Sequence, residues 1–133
     1  MGIKVSWDNP ETKKIIRYDF EPIWTAEEFF AALREDDELL LSVDHLVHLM
    51  FDMRRTENVP YVPVTKLREV AAEIKRETGL IVLVGANMWL NVLADVFQKV
   101  YASRIEHFAG LKHARTPDHA YEIIAEYEQE QAV

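Results

Sequence analysis

The 133-residue sequence contains no cysteine. That excludes disulfides, thiolate nucleophiles and cysteine-ligated zinc or iron–sulfur centres. Glycine and proline are scarce, at four and five residues, which leaves little material for a low-complexity linker. The longest apolar run, LIVLVGA at 80–86, is far shorter than a membrane-spanning helix requires. Basic residues number 15 against 23 acidic ones, a formal net charge of −8. Such a balance opposes binding to nucleic-acid backbones or anionic membranes, where basic side chains supply most of the affinity. The opening segment MGIKVSWDNPETKK lacks the basic region and apolar core of a signal peptide. The expectation is a cytoplasmic chain with no nucleic-acid partner and no membrane insertion.

What is present suits one globular domain over residues 1–133. Apolar residues make up 49% of the sequence, and a chain of this length buries a core without a metal or disulfide staple. Ile3, Val5 and Trp7 alternate with polar residues, as do Ile16, Tyr18 and Phe20. This is strand period, and the two runs predict an opening hairpin around a turn at Asn9-Pro10-Glu11-Thr12. Thr25 and Glu28 form a capping box, with Trp24 and Phe29 in hydrophobic-staple positions, so a helix is expected from Thr25. Within it, the acidic run Glu35-Asp36-Asp37-Glu38 reads as a solvated face.

A third strand is expected over 47–53, with Val47, Leu49, Phe51 and Met53 on one face and His48, Met50 and Asp52 on the other. The partly apolar second face implies cover on both sides. Pro63 suits a first helical turn, Leu67, Val70, Ala71 and Ile74 supply a stripe, and Gly79 reads as the helix stop. The wholly apolar run 80–84 predicts a central parallel strand. A third helix over 87–103 follows, opened by Asn87 and carrying Trp89, Val92, Val96, Val100 and Tyr101. A short strand is expected over 104–108. Thr116-Pro117-Asp118 starts the last helix, with Ala120, Ile123, Ile124 and Tyr127 as its apolar stripe and fraying from Glu126 onward. The predicted fold class is α/β: a single mixed, mainly parallel sheet with an opening hairpin and four helices, in the order β-β-α-β-α-β-α-β-α.

This order resembles the STAS domains of anti-anti-sigma factors and the small bacterial proteins that look like them. The resemblance runs from about residue 3 to 127 and rests on the strand-pair opening, IIRYDFEPIWTAEEF, VHLMFDM, IVLVGA and the last helix after TPDHA. It implies a STAS-like fold and a protein partner rather than a catalytic role. In the anti-anti-sigma branch, a Ser or Thr opening the helix after the third strand is phosphorylated, commonly within an Asp-Ser pair. The matching segment here, FDMRRTENVPYVPVTKL, has no Asp-Ser. Its nearest equivalent by position is Thr65, with Thr56 earlier in the loop, so the resemblance makes Thr65 the candidate regulatory phosphosite.

Residues with chemical potential are few. Open α/β sheets place ligands beyond the carboxyl ends of their strands, which makes Asp52, Gly85 and Asn87 a candidate ligand-site rim. VLVGANMW carries one glycine, so it is neither a dinucleotide fingerprint nor a phosphate loop. His45 and His48 lack the spacing of a zinc helix motif, and no structural metal or cofactor is expected. His107, His113 and His119 are candidate general bases by residue type, but no nucleophile is assigned to them. Trp24, Tyr61 and Trp89 are candidate interface anchors. The breadth of the apolar face over 87–103 gives an expectation of a homodimer. The functional expectation is a non-enzymatic, regulatory protein-interaction module. The alternative is a small-ligand-binding or enzymatic α/β domain working at the strand carboxyl ends.

Overall fold

The computed structural model describes residues 2–63, 65–66, 69, 78–85 and 108–132. Five strands form one mixed sheet in the order β1-β2-β3-β4-β5: β1 (Ile3–Trp7), β2 (Ile15–Phe20), β3 (His48–Asp52), β4 (Thr78–Val84) and β5 (Phe108–Ala114). The first pair is antiparallel, and the other three pairs are parallel. The α/β class and the opening hairpin follow the sequence reading. Two long helices lie among the described residues, α1 (Ala26–Leu41) and α2 (Pro117–Ala132). The helices expected over 67–74 and 87–103 fall almost wholly outside the described residues.

The hairpin register pairs Ile3 with Phe20 and Trp7 with Ile16. A seven-residue connection closes it, with Asn9 as its pivot. The Asn9 side chain accepts from the Glu11 amide at 2.9 Å and its carbonyl from the Lys13 amide at 2.9 Å. Lys13 adopts a left-handed φ of 51° to complete the bend.

Helix α1 forms as its cap predicts. Thr25 Oγ1 accepts from the Glu28 amide, and the Glu28 carboxylate accepts from the Thr25 amide, both at 3.1 Å. Phe29, Phe30, Leu33 and Leu40 are buried in the cluster that also holds Ile16, Tyr18, Phe20, Leu49, Phe51, Ile81 and Leu83. Tyr18 and Phe51 ring centroids lie 4.3 Å apart, and Phe20 meets Trp24 edge-on at 5.0 Å. Each large side chain buried here contributes about 1.5–3 kcal/mol relative to exposure. The opposite sheet face carries Met50, Leu80, Val82, Val84 and Ala114, and α2 covers it with Ala120 and Ile124. Strand β3 is therefore buried along its whole length, as its two-sided apolar pattern predicts.

Several expectations are corrected. A strand runs over Phe108–Ala114, where the sequence pattern beyond Phe108 reads as a connection, while residues 104–107 of the strand expected over 104–108 lie outside the described residues. The register of β5 with β4, from Thr78↔Phe108 to Val84↔Ala114, gives backbone partners to a segment whose Gly110, Lys112 and His113 resemble loop residues. Gly79 does not stop a helix; it lies inside β4, where a methyl group would overlap the His48 ring. The acidic run is not wholly solvated, because Asp36 is only 2% exposed and accepts from the Tyr18 hydroxyl at 2.5 Å. Trp24 is buried at 3% exposure, so it is a core residue and not an interface anchor. Helix α2 continues to Ala132 instead of fraying at Glu126.

Candidate functional site

The carboxyl ends of β2, β3 and β4 carry a network of charges. Arg17 and Asp19 share one face of β2, and parallel pairing sets Asp19 beside Asp52 on β3. The Arg17 guanidinium bonds Asp52 Oδ2 at 2.8 Å and Asp19 Oδ1 at 3.0 Å, and approaches Asp8 at 3.6 Å. Asp8 in turn accepts from the Tyr121 hydroxyl at 2.6 Å, which ties α2 to the end of β1. Arg54 grips Asp52 with two bonds, Nε to Oδ1 at 2.9 Å and Nη2 to Oδ2 at 2.8 Å.

The electrostatics follow from this geometry. Burial pushes the Asp52 carboxyl up, but the Arg54 hydrogen bonds and the charges of Arg54 and Arg17 outweigh it and hold the group below its ordinary value. Burial likewise opposes the Arg17 charge, and Asp19 and Asp52 more than restore it. A carboxylate held by two guanidinium groups is a poor general base, since both its protonation and its approach to a substrate would break charge-assisted bonds.

Of the expected rim, Asp52 and Gly85 are brought to one place. Gly85 has φ 75°, donates its amide to the Ala114 carbonyl at 2.9 Å, and lies against Arg54 where a methyl group would collide. Its glycine character therefore serves a left-handed turn packed on the arginine that grips Asp52. Asn87 lies outside the described residues, as do Trp89, Tyr101 and His107. An open groove of about 290 Å³ lies elsewhere, between the β5 edge and α2, with Lys112, His113, Glu126 and Glu130 around Leu80 and Tyr127. None of the expected rim residues lines it.

The histidines do not converge. His45 is exposed, with Nε2 2.8 Å from the Lys13 carbonyl, while His48 is 2% exposed on β3. His119 is exposed in the first turn of α2, where Thr116 Oγ1 accepts from its amide at 3.2 Å. Among the described residues, no group of three or more His, Asp or Glu side chains could hold a metal ion.

A second locus lies at the loops before α1 and after β3. The Glu57 amide donates to the Pro22 carbonyl at 3.1 Å, and Trp24 Nε1 donates to Thr56 Oγ1 at 3.3 Å. Val62 is buried and Val59 packs on the core, which anchors the segment 56–63 from beneath. On these tied loops Ile23 and Tyr61 are 73% and 82% exposed. Thr65, beyond the segment, is helical and exposed, and Lys66 pairs with Glu69 at 3.6 Å.

The sequence reading assigned no role to Arg17, Asp8, Asp19, Tyr121 or Arg54. One signal was available. A sheet with apolar residues on both faces of β3 must be covered on both sides, so Arg17 and Asp19 on the second face of β2 needed partners there. No family model matches the chain, and neither the curated proteins nor the solved structures contain a significant match.

Among the described residues, no helix is long and apolar enough to cross a membrane.

Proposed function

We propose that this chain is a non-enzymatic, regulatory protein-interaction module of the cytoplasm, STAS-like in arrangement, with helices over 67–74 and 87–103 completing a four-helix cover. Its docking surface is the loop pair formed by Pro22-Ile23 and 56–63. The observation that carries this reading is the exposure of Ile23 and Tyr61, the two most exposed large apolar side chains among the described residues, on loops hydrogen-bonded to each other. Exposed apolar side chains on an anchored frame suit a protein partner, because little ordering entropy is lost on docking. The commitment of Asp52 to Arg17 and Arg54 supports the same reading, since it leaves the strand ends held by internal bonds.

Thr65 lies at the end of this surface. A phosphoryl group there would bring a charge of about −1.5 to −2 to the docking loop, which is a regulatory input that needs no catalytic residue.

The test is partner recovery from the native cells by chemical crosslinking, with wild-type protein and an Ile23→Ser/Tyr61→Ser double variant. The wild type is expected to recover a defined partner or a second copy of itself, and the variant to lose it by at least about tenfold with an unchanged melting temperature. Equal recovery by both proteins refutes the surface. Thr65→Glu is expected to shift recovery relative to Thr65→Ala, and phosphosite mass spectrometry should find the modified residue. Identical recovery by both variants, with Thr65 unmodified, removes the switch.

A further inference from the structure

His48 occupies a position that none of the functional reading uses. Its ring sits on the β3 face that α2 covers, and Nδ1 accepts the Leu80 amide at 2.9 Å. An amide hydrogen bond into Nδ1 fixes the tautomer, because that nitrogen must present a lone pair. The ring proton is therefore on Nε2, which donates to Glu128 Oε1 of α2 at 3.2 Å. Tyr127 closes over the ring edge-on at a centroid distance of 5.7 Å. Behind the ring lies Gly79, whose missing side chain is the space the imidazole fills.

We propose that His48, Glu128 and Tyr127 form a proton-operated clasp on the C-terminal helix, closed while the imidazole is neutral and opened when it takes up one proton. A second proton can go only to Nδ1. There it would point at the Leu80 N–H, so two donors would face each other at 2.9 Å in a site that is 2% exposed. The ring has no room to retreat toward Gly79. Among the described residues, Tyr127 and Glu128 of α2 close the ring's other side, so releasing it displaces α2. The surface uncovered is Met50, Leu80, Val82 and Val84, which Ala120 and Ile124 of α2 cover when docked.

Among the described residues, the charged groups facing His48 are Glu128 from α2 and Lys14 from the β1–β2 turn, which approaches Glu128 at 3.9 Å. Strand β4 offers the ring a backbone amide. Burial lowers the His48 pKa, Glu128 raises it by charge and hydrogen bond, and Lys14 lowers it, leaving it below its ordinary value of 6.5. The released ring titrates at that ordinary value. Opening is therefore coupled to uptake of one proton below about pH 6.5, and the opening constant rises by up to tenfold per pH unit until the docked value is reached. This clasp is independent of the docking surface at Ile23 and Tyr61.

The experiment is amide hydrogen exchange on the full chain between about pH 5 and 8, corrected for intrinsic rates, with nitrogen NMR of the His48 ring. In the wild type, amides of residues 120–128 are expected to open up to about fivefold more at pH 5.5 than at pH 6.5. The ring is expected to remain the Nε2–H tautomer and to protonate below 6.5. His48→Asn places an amide oxygen near the Nδ1 position, keeps an acceptor for Leu80 and cannot titrate, so the pH dependence of α2 should vanish. Glu128→Gln keeps the acceptor without its charge and should move the ring's protonation to lower pH. Protonation of His48 at or above 6.5 overturns the proposal, as does α2 exchange whose pH dependence is flat in wild type or unchanged in His48→Asn. Should the Asn variant fail to fold, the wild-type tautomer, titration and exchange still decide the matter.

Discussion

Asp36→Asn is expected to make the protein more stable at pH 8 by about 2–3 kcal/mol, an unusual gain for a substitution in a core. Asp36 is 2% exposed on α1. One oxygen accepts from Tyr18 at 2.5 Å, and the other has no hydrogen-bond partner among the described residues. Burial raises its pKa from the ordinary 3.8 to about 7, with the Tyr18 bond acting in the opposite direction and the charge of Asp37 adding to the rise. Below about pH 3.8 the carboxyl is protonated in folded and unfolded chains alike and carries no penalty. As pH rises toward 7 the unfolded chain ionises freely while the folded chain resists, so stability falls. Above 7 both forms are ionised and the loss is complete. A rise from 3.8 to about 7 corresponds to a loss of about 4 kcal/mol. The Asn oxygen can still accept from Tyr18, but its amide group meets the site of the unpartnered oxygen, which returns about 1–2 kcal/mol of the gain. Urea unfolding of both proteins at pH 4, 5, 6, 7 and 8 measures the difference. His48 is common to both, so its own pH dependence cancels. The variant should match or fall slightly below wild type at pH 4 and exceed it progressively to pH 8. A difference that stays flat across this range, or a variant less stable at pH 8, refutes the assignment of a neutral buried carboxyl.

Two further substitutions probe the other constellations. Gly79→Ala should destabilise the protein by about 2–4 kcal/mol in urea unfolding, because the new methyl overlaps the His48 ring in a fully buried strand. A loss below about 0.5 kcal/mol would show that the ring is free to move. Arg17→Met removes the guanidinium shared by Asp8, Asp19 and Asp52. It should cost about 2–4 kcal/mol at pH 7, as expected when one partner of a partly buried charge network is lost. Because Asp52 is held below its ordinary pKa by the arginines, wild type should lose part of this advantage as pH falls through and below about 3.8, and the two melting temperatures should converge there.

Much of the fold was legible in local patterns. The capping box at Thr25 and Glu28, the alternation of β1 and β2 and the Thr116-Pro117 start of α2 are short-range chemistry, and each element begins where its residues say it should. Strand β3 was readable on both faces because Met50 stands between His48 and Asp52. Strand β5 was not, since Gly110, Lys112 and His113 gain strand geometry only from the backbone partners that β4 supplies.

The candidate site was legible by residue type alone. The sequence placed Asp52 and Gly85 at strand ends, but only the sheet register set Asp19 beside Asp52 and let Arg17 and Arg54 close on it. Asp36 shows the same limit: four consecutive acids read as a solvated face, and the rotation of α1 on the sheet turned one of them inward to Tyr18. Gly79 had a local reading as a helix stop, yet its role is the space that a histidine 31 positions earlier fills. Helix caps and strand periodicity act over a few residues, so the sequence by itself determines them. Which charge meets which, and which glycine stands empty for which ring, depends on strand register and helix rotation, and those exist only once the sheet has formed.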